Sequence, residues 1–229
     1  MSEKFCPNCG QSEKPRRIDF HYVKHEIEHV LHFEKGILFT IKELLIRPGE
    51  SIREFISEDR NRLVKPIIFI IVTSLIYTLL NHFFHIEEGY VSYDGLEKSV
   101  LVKILGWFQA NYGYMNIVTG MFIAVWLKVF FKKHDYNFFE LLIMLCFVLG
   151  ITMLIFAFFA IIEGTTHIKL FKIAGILGFI YLVWAIGSFF DKKKIASYFK
   201  ALASYLLGML TFLILTIAIG ITIDIITKH

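Results

Sequence analysis

Charge, cysteine and proline are all scarce in this sequence. Only 19% of its 229 residues are Asp, Glu, Lys or Arg, with 3 Cys and 4 Pro. Ordinary soluble domains carry about 25% charged residues. Three cysteines cannot staple a small secreted scaffold, and 15 Gly without a Gly-X-Y period exclude a collagen-like fibre. There is no HExxH, GxSxG, P-loop or GxGxxG, and no carboxylate pair inside an apolar run, so an enzyme is not expected. No aromatic-rich basic RNA motif is present, so no nucleic-acid partner is expected either. What the chain has in excess is grease: 56% hydrophobic residues, 24 Phe and a mean hydropathy of +0.60. That composition excludes disorder and points to an all-α, polytopic helical membrane protein.

Five runs are long and apolar enough to cross a bilayer: Ile67–Phe84, Tyr112–Phe131, Phe138–Ile162, Ile173–Phe190 and Leu202–Ile223. A hydrocarbon core of about 30 Å needs about 20 helical residues, which each run supplies. Barrel strands would alternate apolar and polar residues, and these runs do not. The ionisable residues Lys128, Glu140, Glu163 and Asp224 fall near predicted span ends, where side chains reach water or headgroups. Small residues four apart (Gly120/Ala124, Ala174/Gly178, Ser204/Gly208, Thr216/Gly220) permit close helix contact, read first as packing within the bundle.

Charge sets the threading. With residues 1–65 in the cytoplasm, nineteen of the 24 Lys/Arg lie on the inside and five outside: Lys98, Lys103, Lys169, Lys172 and Lys228. This matches the positive-inside bias. It predicts a multi-pass protein of the bacterial inner (plasma) membrane with a cytoplasmic N-terminus. Residues 1–65 are polar and basic, which predicts no signal peptide ahead of the first span. Between the first two spans, Leu96, Val100, Leu101, Ile104, Leu105 and Phe108 recur at helical spacing. Either an amphipathic helix on the outer leaflet or an extension of the second span accounts for them.

The front of the chain differs in kind. Residues 1–17 contain Cys6-Pro7-Asn8-Cys9-Gly10, a CxxCG knuckle whose two thiolates can hold half of a tetrahedral zinc site. His21, His25, His29 and His32 follow on one helical face. Cys6, Cys9, His21 and His25 together have spacing close to a Cys₂His₂ set. Solvated histidines beside an idle Cys pair are the plainer reading. Residues 18–65 read as amphipathic helices: Gly36 as a helix stop, Ile37–Ile46 as a short helix, then Arg47-Pro48-Gly49. Ser51 and Glu54 form a capping-box pattern that predicts a helix start. The stripe Ile52, Phe55, Ile56 suits a helix lying in the inner headgroup layer. Arg60, Arg62 and Lys65 then stand where lipid phosphates would be, ahead of Pro66 and the transmembrane bundle of residues 66–229.

The order CPNCGQ, Ile37-Leu38-Phe39-Thr40, Glu43-Leu44-Leu45, Arg47-Pro48-Gly49, Ile52-Arg53-Glu54-Phe55, Arg60 and Lys65-Pro66 is distinctive. It resembles a bacterial membrane-protein family known only as a domain of unknown function (DUF family thirty-six sixty-seven). The resemblance covers about residues 5–75 and implies a zinc-ribbon-like head, an RPG segment and several spans. Members usually carry two CxxC knuckles where this chain has one. Zinc would therefore need His21 and His25, a second copy of the chain, or a partner.

The function expected from the sequence is a non-catalytic scaffold or adaptor in the lipid bilayer. Its metal-stabilised head would recruit a protein partner or drive homo-oligomerisation. The alternative is an oligomeric channel or permease for a small solute or ion, with Asn81 and His82 lining the path. A structural zinc would supply roughly 10–16 kcal/mol of folding free energy to the head. Elemental analysis of the purified protein is expected to show zinc, lost in Cys6→Ser/Cys9→Ser.

Overall fold

The computed structural model describes residues 36–86, 104, 106–108 and 111–227. Among these residues run seven helices: α1 (Ile37–Ile46), α2 (Pro48–Ser57), α3 (Pro66–Phe84), α4 (Tyr112–Phe130), α5 (Phe138–Thr166), α6 (Phe171–Asp191) and α7 (Ile195–Thr227). Among the described residues there is no strand. Four helices (α3, α5, α6 and α7) are long and apolar enough to cross a membrane. The apolar stretch of α4, Tyr114–Phe130, is shorter. The expected polytopic helical architecture is therefore what the chain adopts.

The spans sit close to their expected bounds, with two differences. α5 runs four residues past Ile162 to Thr166, and α7 begins at Ile195 and takes in Lys200, rather than starting at Leu202, and runs four residues past Ile223 to Thr227. Local signals bound α5 at both ends. α5 starts with a capping box: the Asn137 side chain accepts from the Glu140 amide while the Glu140 carboxylate accepts from the Asn137 amide. It ends on left-handed His167, whose N–H donates to the Glu163 carbonyl. Pro66 occupies the first position of α3, where no amide donor is missed.

α5 is the central staff of the bundle. Leu141, Ile143, Met144, Leu145, Phe147, Val148 and Ile151 are all essentially inaccessible. Around it pack α3, α4 and α6, and α7 closes the bundle against α4 and α6. Small residues set the close approaches. A methyl on Gly208 would sit 2.7 Å from the Ile123 Cα, and Ala124, Ala174 and Ser204 are fully buried. The small-residue pairs containing these residues thus serve packing within one chain.

α1 and α2 do not form a separate layer. Leu44, Ile52 and Phe55 belong to the same apolar cluster as Phe147, Ile186 and Phe189. The Ile52/Phe55/Ile56 stripe therefore faces the bundle and not the headgroup layer, with Phe55 edge-on to Phe147 at 5.1 Å. The predicted helix start at Ser51 is also displaced. α2 begins at Pro48, and Ser51 is buried inside it, its hydroxyl donating to Glu43 across the turn at 3.2 Å. A proline at the first helical position pre-sets the backbone, and here it starts the helix three residues before the serine. Gly36 is the N-cap of α1, its carbonyl accepting from the Phe39 and Thr40 amides.

Candidate functional site

The helix connections place three charged segments at one end of the bundle: α1–α2 with its following loop, the turn 131–137, and the turn 192–194. The α1–α2 hairpin docks here onto the C-terminal end of α6. Gly49 makes the docking possible. A Cβ at this position would collide with the Ser188 carbonyl group and lie 2.6 Å from the Phe189 nitrogen. With the backbones this close, Arg53 reaches the end of α6 and donates from Nη1 to the carbonyls of Ser188 (2.7 Å) and Phe189 (2.6 Å). These carbonyls belong to the last turn of the helix, which carries the negative end of the dipole, so a guanidinium there is doubly favoured. Glu50 takes the Lys192 ammonium at 2.6 Å, and the Tyr181 hydroxyl donates to the Leu44 carbonyl at 3.1 Å. The opposite end of α6 is capped with the complementary charge. The Glu163 carboxylate accepts from the Leu170 and Phe171 amides at 2.8 and 2.9 Å.

Across the hairpin and the loop that follows it, two carboxylates and two guanidiniums alternate. Glu43 accepts from Arg47 (2.7 Å) and Arg62 (2.9 Å); Glu54 pairs with Arg62 and stands 3.7 Å from Arg47. Burial acts to raise the Glu43 carboxyl. The hydrogen bonds from Arg47 and Ser51 and the charges of Arg47 and Arg62 outweigh it and hold the group below its ordinary value of 4.5. The loop that follows is pinned by the Val64 amide donating to the Thr40 hydroxyl at 3.0 Å.

Beside this hairpin lies a basic rim. Lys132, Lys133, Lys193, Lys194 and Lys200 are exposed around an aromatic platform in which Phe131 stacks on Phe190 at 3.6 Å. The Lys200 ammonium sits 5.6 Å from the Phe131 ring centre. His134 packs edge-on against Phe190 at 5.2 Å; burial lowers its pKa, and the Asp191 carboxylate works against that shift.

The predicted metal ligands Cys6, Cys9, His21 and His25 lie outside the described residues. Of the predicted phosphate contacts, Arg62 joins the carboxylate ring, Arg60 Nη2 donates to the Ile56 carbonyl at 3.5 Å, and Lys65 is the N-cap of α3. Asn81 and His82 fall in the last turn of α3, with the His82 and His85 rings 6.0 Å apart. Glu140 and Glu163, expected to reach water or headgroups at span ends, are buried as helix caps, and Lys128 donates to the Tyr136 carbonyl at 2.6 Å. Sequence reasoning missed the roles of Gly49, Arg53 and Glu43. The Glu43/Arg47 spacing of four was a usable signal for part of the ring. The Asn137-x-x-Glu140 capping box was legible and was also missed.

Two outcomes follow. Arg53→Ala removes both carbonyl bonds at the end of α6. A loss of about 1.5–3 kcal/mol per charged hydrogen bond is expected, read as a lower melting temperature in detergent and faster proteolysis between residues 47 and 65. Because the Glu43 carboxyl is depressed in the fold, its stabilisation is complete above pH 4.5 and drains away as the pH falls through the folded value. The melting temperature of the native chain should drop across that window, and less so in Glu43→Gln.

No curated protein and no solved structure matches the chain. Residues 34–78, which include the docked hairpin, the carboxylate ring and the start of α3, match the family model described as "Protein of unknown function (DUF3667)".

Proposed function

We propose that this integral membrane protein is a non-catalytic scaffold. Its bundle holds the α1–α2 hairpin rigidly at the basic end, and the hairpin in turn presents the N-terminal segment to a partner or to a second copy of the chain. One observation carries the reading: the motif-dense block, residues 34–78, spends its charged and special residues on internal positioning. Gly49 and Arg53 grip α6, and Glu43, Arg47, Glu54 and Arg62 neutralise one another. Residues arranged this way fix where a neighbouring segment sits. Basic residues crowd the same end, which supports placing it in the cytoplasm of a bacterial inner membrane. The thiols of Cys6 and Cys9, with His21 and His25, suit a structural zinc that would stiffen the presented segment.

The test uses the full chain purified in mild detergent. The native protein is expected to run as a stable homo-oligomer or with a stoichiometric partner, and removal of residues 1–35 is expected to release it while the melting temperature of the bundle is kept. A native chain that is purely monomeric and partnerless overturns the proposal.

A further inference from the structure

α1 buries one side and leaves an apolar arc on the other. Thr40 and Leu44 are buried against the bundle, whereas Leu38 is 78%, Ile46 63%, Leu45 47% and Phe39 46% exposed. The exposed Lys42 stands within that arc. At 100° per residue these five positions share about a third of the helix circumference. Four large apolar side chains on one face of a ten-residue helix call for a cover.

The depth of α1 says what covers it. α3 is shifted along α5: a methyl on Gly150 would sit 2.7 Å from the Phe69 ring, and one on Gly164 would collide with Phe84. The 19 residues of α3, about 28 Å of helix and close to the hydrocarbon thickness, thus lie beside the later two-thirds of α5. The first turns of α5, about 13 Å from Phe138 to Phe147, extend beyond the start of α3. The hairpin fills that notch, with Phe55 against Phe147. α6 runs antiparallel to α5, with Gly178 against Thr152. Three residues further along α6, Tyr181 is level with Leu149, and its hydroxyl holds the Leu44 carbonyl. α1 therefore lies at the depth where α3 enters the hydrocarbon. At the same depth α6 presents Ile180 (57% exposed) outward, so the arc stands at the level of the apolar outer surface of the spans.

We propose that α1 is an in-plane membrane helix. Leu38, Phe39, Leu45 and Ile46 seat among the acyl chains of the leaflet on the basic side, and the Lys42 stem lies along them with its ammonium in the phosphate layer. The occupant of the arc is phospholipid. The lipid-contact role expected of the Ile52/Phe55/Ile56 stripe passes to the preceding helix, because α2 is enclosed by the bundle.

The full chain is reconstituted in vesicles of phosphatidylethanolamine and phosphatidylglycerol, with the photo-reactive p-benzoyl-phenylalanine placed singly at position 38, 45, 52 or 180. Illumination is expected to give phospholipid mass adducts at 38, 45 and the span control 180, and only intrachain links to α5 or α6 at 52. Links from 38 and 45 to residues 1–35 or to a second chain overturn the proposal, as does a lack of lipid adduct there while 180 gives one. A second arm covers poor incorporation. Leu45→Trp, in a chain with Trp107, Trp126 and Trp184 changed to Phe, is expected to be quenched by acyl-brominated lipid at least twofold. Fluorescence unaffected by that lipid overturns the proposal as well.

Discussion

The fold at the basic end depends on one contact, the α2 backbone lying directly on the last turn of α6 at Gly49. Helix ends leave carbonyls without partners, and in a bundle next to lipid such groups are costly unless something donates to them. Arg53 supplies that donor for Ser188 and Phe189. It can do so only because Gly49 has no side chain to hold the two backbones apart. Glu163 does the converse at the start of α6. A single span thus carries an anion at its positive end and a cation at its negative end, both contributed by other parts of the chain. The position of α6 in turn fixes Tyr181, and through its hydroxyl the backbone of α1.

The carboxylate ring follows from the same constraint. Once the hairpin is clamped, Glu43, Glu54, Arg47 and Arg62 share a small, partly desolvated space. Unpaired charges there would be expensive, and alternation makes the set neutral. The five lysines of the adjacent rim are exposed to solvent and have no comparable need for exact pairing. The two clusters differ in burial, and burial decides which charges are fixed in place.

The spans were legible because hydropathy acts through length: α3 and α6 begin and end within two residues of their apolar runs, and Pro66 starts α3 as its φ preference requires. Helix α1 and the break at Arg47-Pro48-Gly49 were legible for similar local reasons. What escaped was long-range. The stripe Ile52/Phe55/Ile56 has the same periodicity whether it meets lipid or Phe147, and only the shift of α3 along α5 decides between them. Ser51 matched a capping pattern, but Pro48 had already begun the helix and Glu43 took the hydroxyl. Arg53 carried no local signal of its role, since its partners lie about 135 residues away. The expected ligands Cys6, Cys9, His21 and His25 precede the described residues.

α7 is 33 residues long without a proline, about 50 Å of continuous helix against a hydrocarbon layer of about 30 Å. Tilt alone would have to exceed the usual range to hide that excess. Its first turns therefore stand clear of the acyl region, with the Tyr198 ring packed against Gly187. Because the helix has no joint where it leaves the bilayer, the turn 192–194 is carried on a rigid post and not on a loose linker.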